Sequence, residues 1–183
     1  VVQRLMGLDD LIVAGSHGFD IWSPAGGEIQ LHMAEGFEGL LEAVTADLRD
    51  RAASVPGALV ESKASSVAVH YRLVDDADRP RIKAIVDELL TQHAGDLKVT
   101  AGKMVYELQP NVDWDKGKAL RWLCGAAAVP SDALVVFVGD DVTDEDALDE
   151  VRRHGLGVVV GSEERSTSAH DRVEDTSQVV ELL

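Results

Sequence analysis

Apolar positions recur along this chain with two different periods, and the changes of period divide it into segments. The run LIVAG, Leu11 to Gly15, predicts a short buried strand closed by glycine. FDIWSPAGGEIQL predicts a hairpin, with Pro24 and Gly26-Gly27 supplying the turn. From Phe37 the spacing becomes helical: Phe37, Leu40, Leu41, Val44 and Leu48 fall on one stripe, as do Ile82, Ile85, Val86, Leu89 and Leu90. Between and beyond these helices, ALVESKASSVAVHYRLV and LKVTAGKMVYELQP alternate as strands do. Val67, Val69, Tyr71 and Leu73 would share one face, and Ser66, Ala68, His70 and Arg72 the other. Glu61 with Lys63, and Lys103 with Glu107, are likewise expected on common faces. An antiparallel sheet with its apolar face under two amphipathic helices satisfies this pattern. Its opposite face carries both signs of charge, which suits either plain solvation or a binding surface.

From Asp113 the pattern changes again. A helix over DWDKGKALRWLCGAAA is followed by a strand ALVVFVG, a helix TDEDALDEVRRHG, a strand GLGVVVG and a last helix in EDTSQVVELL. Strands that alternate with helices and are apolar on both faces indicate a parallel sheet in an α/β layer. The predicted organisation is therefore a parallel α/β core, residues 1–30 and 110–183, interrupted by an α+β insert over 31–109.

Composition narrows the partners. The chain has 183 residues, long enough for one ample core or two small modules. Its 17 basic and 33 acidic residues give a net charge of −16, which disfavours nucleic acid and anionic membrane as partners. No apolar run approaches the roughly 20 residues of a membrane span, and the start lacks a signal-peptide pattern. The single cysteine, Cys124, precludes an internal disulfide and suits a reducing, cytoplasmic compartment; its apolar helical setting predicts burial. A monomer is the favoured oligomeric expectation.

Against this background the stretch FVGDDVTDEDAL crowds five carboxylates, Asp140, Asp141, Asp144, Glu145 and Asp146, behind an apolar strand. Thr143 resembles a helix N-cap paired with Asp146 in a capping box, and acidic residues in a first turn suit the helix dipole. That explains Asp144, Glu145 and Asp146. It leaves Asp140 and Asp141, adjacent at a strand end, where ligands of parallel sheets gather. Like charges there oppose each other's ionisation unless a cation intervenes, and a hard divalent ion such as Mg²⁺ is the natural remedy. Lys116 is the complementary oddity: a cation in the first turn of its helix opposes the dipole. It is either tolerated in solvent or directed at an anion.

These residues resemble a known family. VGDDVTDEDAL and DKGKAL are similar to the last two signature segments of the haloacid dehalogenase superfamily. In the order GSHGFDIW, VESKASSVAVHYR, GKMVYELQP, DKGKAL, GDDVTDEDAL, the chain resembles trehalose-6-phosphate phosphatases from about Leu11 to Leu183. The resemblance implies a Mg²⁺-dependent sugar-phosphate phosphatase with a Rossmann-like haloacid dehalogenase core and an inserted α+β cap. It implies Asp140 and Asp141 as metal ligands, Asp144 as completing or orienting that shell, and Lys116 as the charge-neutralising residue. Glu61, Lys63, Arg72, Lys103 and Glu107 match sugar-gripping cap positions, and Gly15, His17 and Gly18 a core loop near the substrate.

Two departures accompany it. Gln109 stands where arginine is common. More seriously, the D-x-D-G-T segment that provides nucleophile and general acid is absent, as is the following segment ending in Ser or Thr; VVQRLMGL fits the helix after them. The chain is therefore expected to begin downstream of the catalytic aspartates and to be inactive alone. A phosphatase for another sugar phosphate and a non-catalytic phosphatase-like regulatory domain are the alternatives.

Overall fold

In the computed structural model, which describes residues 6–8, 10–24, 27–162 and 165–182, the chain divides into two units. Val1–Gln30 with Trp114–Leu183 form one, and Leu31–Asp113 the other. Most of the helix expected in VVQRLMGL, and Gly26 of the expected hairpin turn, lie outside the described residues.

The first unit opens with β1 (Val13–Gly15) and β2 (Asp20–Trp22), paired antiparallel with Gly15 opposite Asp20. A short strand, β3 (Gln30–His32), carries the chain across the boundary into the second unit. The expected burial of β1 is not met: Val13 and Gly15 are half-buried and Ala14 is exposed, because β1 pairs within this small sheet. Between β1 and β2, Ser16, His17 and Gly18 all take positive φ, 48°, 58° and 84°. Such a left-handed turn is costly for two non-glycine residues. Gly18 is needed twice over, since a Cβ there would lie 2.3 Å from Ala119 Cβ.

The second unit begins with helix α1 (Glu38–Ala52), burying Leu41, Val44 and Leu48 along the stripe its period predicts. Strands β4 (Leu59–Ser62) and β5 (Val67–His70) follow, then helix α2 (Arg79–Gln92), β6 (Leu97–Gly102) and β7 (Val105–Pro110). The four strands form an antiparallel sheet in the order β4-β5-β7-β6. Val67, Val69 and Leu108 from its apolar face pack with Val44, Leu48, Ile82, Val86 and Leu89 of the helices in one buried cluster. At roughly 1.5–3 kcal/mol per large apolar side chain, this cluster is the unit's main source of stability.

The alternation read from the sequence outruns the strands. β5 stops at His70, so Tyr71, Arg72 and Leu73 belong to the following turn, and Leu73 is 82% exposed rather than on the apolar face. Lys103 likewise sits in the tight turn between β6 and β7.

The chain returns to the first unit through α3 (Lys116–Ala126), β8 (Val135–Gly139), α4 (Glu145–Val151), β9 (Gly155–Val160), β10 (Asp171–Val173) and α5 (Thr176–Leu182). β8, β9 and β10 are parallel, in the order β10-β9-β8. β10 has no apolar run long enough to betray it in the sequence. Cys124 is half-buried, not enclosed, because α3 turns only part of its surface inward. Among the described residues no helix is long and apolar enough to cross a membrane.

Candidate active site

β8 delivers Asp140 and Asp141 at its carboxyl end, and the backbone then tightens into a 3₁₀ turn, Val142–Asp144, before α4. This turn corrects the capping expected from the sequence. The capping box joins Asp141 and Asp144, not Thr143 and Asp146. Asp141 Oδ1 accepts from the Thr143 amide at 3.1 Å, and Asp144 Oδ2 accepts from the Asp141 amide at 2.9 Å. Thr143 Oγ1 is buried without a hydrogen-bond partner. The two-residue offset arises because the chain makes a 3₁₀ turn first, so its free amides come earlier.

Asp144 is the hub of this arrangement. It is 6% exposed, and its Oδ2 also accepts from the Asp140 amide at 3.0 Å. Its other oxygen, Oδ1, lies 2.6 Å from the ammonium of Lys116 at the start of α3. Lys116 is therefore directed at an anion, as its position against the helix dipole suggests, and that anion belongs to the cluster itself. With both oxygens engaged, Asp144 orients the strand end rather than offering a free ligand.

Two glycines permit these approaches. A Cβ on Gly139 would stand 2.6 Å from the Asp144 side chain, and one on Gly117 2.4 Å from the Asp146 carbonyl. At the start of α3, Asp115 accepts from the Lys118 amide at 2.8 Å and pairs with its ammonium at 3.0 Å. Burial alone would raise the Asp115 pKa, but these hydrogen bonds and the Lys118 charge outweigh it and hold the carboxyl below the usual range.

Asp140 and Asp141 are exposed. Their carboxylate oxygens are hard donors of the type that Mg²⁺ takes, commonly one or two carboxylates with water and substrate completing the shell. Among the described residues no group of three or more His, Cys, Asp or Glu is arranged to hold a metal ion. The donor chemistry fits, and these residues alone supply part of a shell. In the same unit, Trp114 Nε1 donates to the Gly18 carbonyl at 2.9 Å, pinning the left-handed turn that carries His17.

In the second unit, the polar sheet face resolves into two pairs. Glu107, 8% exposed, accepts from Ser66 Oγ at 2.5 Å and from Lys63 Nζ at 3.0 Å. Glu61 and His70 meet at 2.9 Å. The register places Glu61 and Glu107 on either side of Ala68, hence on one face. Buried Gln109 donates to Thr100 Oγ1 at 3.2 Å on the same face. Arg72 and Lys103 are not on this face as the alternation suggested; both are exposed in turns.

Sequence reasoning missed Arg165, which donates to the carbonyls of Asp140 and Asp141. A crowd of carboxylates demands counter-charge, and that signal alone could have prompted a search for a second cation. A cavity of about 300 Å³ lined by Arg121, Asp149, Glu150, Arg153 and His154 includes no residue of the cluster; the chemistry, not the cavity, marks the site.

Comparison with known proteins bears on this geometry. Residues 1–177 match the family model for trehalose-phosphatase. A trehalose-phosphate phosphatase of Mycobacterium marinum is 39% identical over 99% of this chain and 47% of its own length. An uncharacterized glycosyl hydrolase of Mycobacterium tuberculosis is 43% identical over the whole chain, which covers 14% of that protein. The crystal structure of a trehalose-6-phosphate phosphatase related protein superposes with a TM-score of 0.76 at 24% identity, covering 99% of this chain and 73% of that one. The chain thus spans about half the length, or less, of these curated relatives.

Proposed function

Because the chain belongs to the trehalose-phosphatase family, we propose that it carries the metal-side and sugar-gripping parts of a phosphatase converting trehalose 6-phosphate to trehalose and phosphate. The observation that carries this reading is the buried Asp144 carboxylate, which ties Lys116 to the amides of Asp140 and Asp141 at one strand end. A cation and two outward carboxylates fixed together suit the charge of a transferring phosphoryl group, where catalysis is mostly positioning and electrostatics.

Asp140 and Asp141 would hold Mg²⁺. When bound, the ion supplies charge neutralisation to the phosphoryl oxygens. Lys116, braced by Asp144, adds a fixed positive charge. Gly15 and the left-handed turn after it, with His17 and Gly18, present backbone and imidazole for hydrogen bonding to substrate. The unit Leu31–Asp113 acts as the cap: the Glu61–His70 and Lys63–Glu107 pairs offer donors and acceptors for sugar hydroxyls, with Arg72 and Lys103 contributing from turns. The attacking carboxylate is assigned to a segment outside these residues, since D-x-D-G-T does not occur among them.

The test compares the chain alone with the chain preceded by the N-terminal part of its M. marinum relative. Phosphate release is measured from trehalose 6-phosphate, sucrose 6-phosphate and glucose 6-phosphate, with and without Mg²⁺. The reading predicts selective, Mg²⁺-dependent turnover by the extended protein only. Turnover by the chain alone would refute the external nucleophile, and equal release from all three sugars would remove the trehalose assignment.

A further inference from the structure

We propose that Arg165 is a positioning residue for the Asp140–Asp141 strand end, an inference that deepens the metal-site reading above and rests on it. The argument starts from the backbone. The amides of Asp140 and Asp141 are both taken by Asp144 Oδ2. Their carbonyls are both taken by Arg165 Nη2, at 3.2 Å and 3.0 Å. The two residues are therefore strapped between a carboxylate on one side and a guanidinium on the other. Neither strap uses an Asp140 carboxylate oxygen, so that side chain stays available while its backbone is held.

Arg165 is itself held. Its Nη2 lies 3.6 Å from Glu145 Oε1, and its side chain is 23% exposed. The other oxygen of Glu145 accepts from Thr167 Oγ1 at 3.1 Å and the Ser168 amide at 2.8 Å, tying the same loop to the start of α4. Arg172 donates to the Arg165 carbonyl at 3.3 Å and to the Gly161 carbonyl at 3.0 Å, closing the loop on itself. His170 fastens it to β9, accepting from the Gly157 amide at Nδ1 while its Nε2 meets the Arg152 carbonyl. A side chain paired with Glu145, on a loop fastened by Glu145, Arg172 and His170, gives up conformational freedom, which suits a structural clamp better than a solvated charge.

The sign of its charge makes the role testable. A cation beside a metal site repels the metal, so by charge alone Arg165 weakens metal binding and its removal tightens it. A positioning role predicts the opposite, because losing the clamp loosens the backbone that presents the ligands.

The experiment uses the 183-residue chain with Arg165→Met, Arg165→Lys and Arg172→Met variants. Mn²⁺ binding is followed by electron paramagnetic resonance, and amide exchange at Asp140 and Asp141 by nuclear magnetic resonance. Arg165→Met is expected to weaken Mn²⁺ binding about 10-fold, the low end of losses on removing an orienting partner, and to speed exchange of both amides. Arg165→Lys restores part of each, and Arg172→Met moves both in the same direction by less, which decides the matter if Arg165→Met does not fold. Unchanged or tighter Mn²⁺ binding with unchanged exchange overturns the proposal. If neither the unsubstituted chain nor the chain preceded by the N-terminal part of its M. marinum relative binds Mn²⁺, the metal reading fails, and exchange alone then decides whether Arg165 holds this backbone.

Discussion

The ammonium of Lys116 and the carboxylate of Asp144 meet at 2.6 Å, joining the first turn of α3 to the turn that follows β8. Their side chains are 26% and 9% exposed, so the pair is largely removed from water. Breaking one partner of such a pair costs more than the pair is worth intact, because the survivor is left charged and buried.

Lys116→Met is accordingly expected to destabilise the protein by about 1–3 kcal/mol, with Asp144→Asn similar. The double variant should lose less than the sum, by at least about 0.5 kcal/mol, since removing both charges leaves neither stranded. Urea unfolding of the four proteins measures this coupling. Strict additivity would show that the contact contributes nothing.

Gly139→Ala and Gly117→Ala test the packing beneath the same pair. Neither glycine has a left-handed φ, so the penalty is one of space alone. Each added methyl group meets an atom that cannot retreat freely, the Asp144 side chain in one case and the Asp146 backbone carbonyl in the other. Overpacking of this kind costs about 1–3 kcal/mol. Melting temperatures equal to the parent's would contradict the close approach.

Acid should erode stability through α3 and α4. The Arg121 guanidinium, hydrogen-bonded to Glu150 at 2.7 Å, holds that carboxyl below the usual glutamate range. A carboxylate with a lowered native pKa stabilises the fold above its unfolded value, about 4.3 for glutamate. That stabilisation disappears as pH falls through the native value. Asp115 acts in the same sense. Unfolding free energy should therefore decline below about pH 4.3, and Glu150→Gln should flatten that decline while leaving the slope near neutrality alone. The effect is modest, since Arg121 is 68% exposed.

In the second unit, Leu108 and Glu107 are neighbours on opposite faces of β7, and substitution should separate their roles. Leu108→Ala removes a fully buried side chain and should cost about 2–5 kcal/mol. Glu107→Gln keeps the shape but weakens the bonds to Lys63 and Ser66, for about 1–3 kcal/mol. A larger loss for Glu107→Gln than for Leu108→Ala would mean that the polar face, not the apolar one, anchors the sheet.

Much of this was legible in the sequence because it is local. The stripes of α1 and α2, the apolar run of β8 and the crowding after it are each set by residues within a few positions of one another. Lys116 stood out because its place in a helix is locally unfavourable. The failures are of a different kind. Alternation cannot show where a strand stops, so it places Arg72 and Lys103 on a face that ends before them. A 3₁₀ turn shifts its capping partners without any change of composition, which moved the box from Thr143 and Asp146 to Asp141 and Asp144. Arg165 lies in the polar stretch GSEERSTSAHDRVED, where no period exists to follow, and only the parallel pairing of β9 with β10 brings its loop back to β8.

The strap around Asp140 and Asp141 has unequal freedom to change. On the carboxylate side, Gly139 and Gly117 leave no space for even one more carbon, so sequence drift there is confined to what preserves Asp144 in place. On the guanidinium side, Arg165 reaches across from a loop fastened by hydrogen bonds to the side chains of Glu145, Arg172 and His170. If Asp140 and Asp141 hold a cation as proposed, its affinity would therefore be tuned, by descent or by design, through loop residues that never touch it.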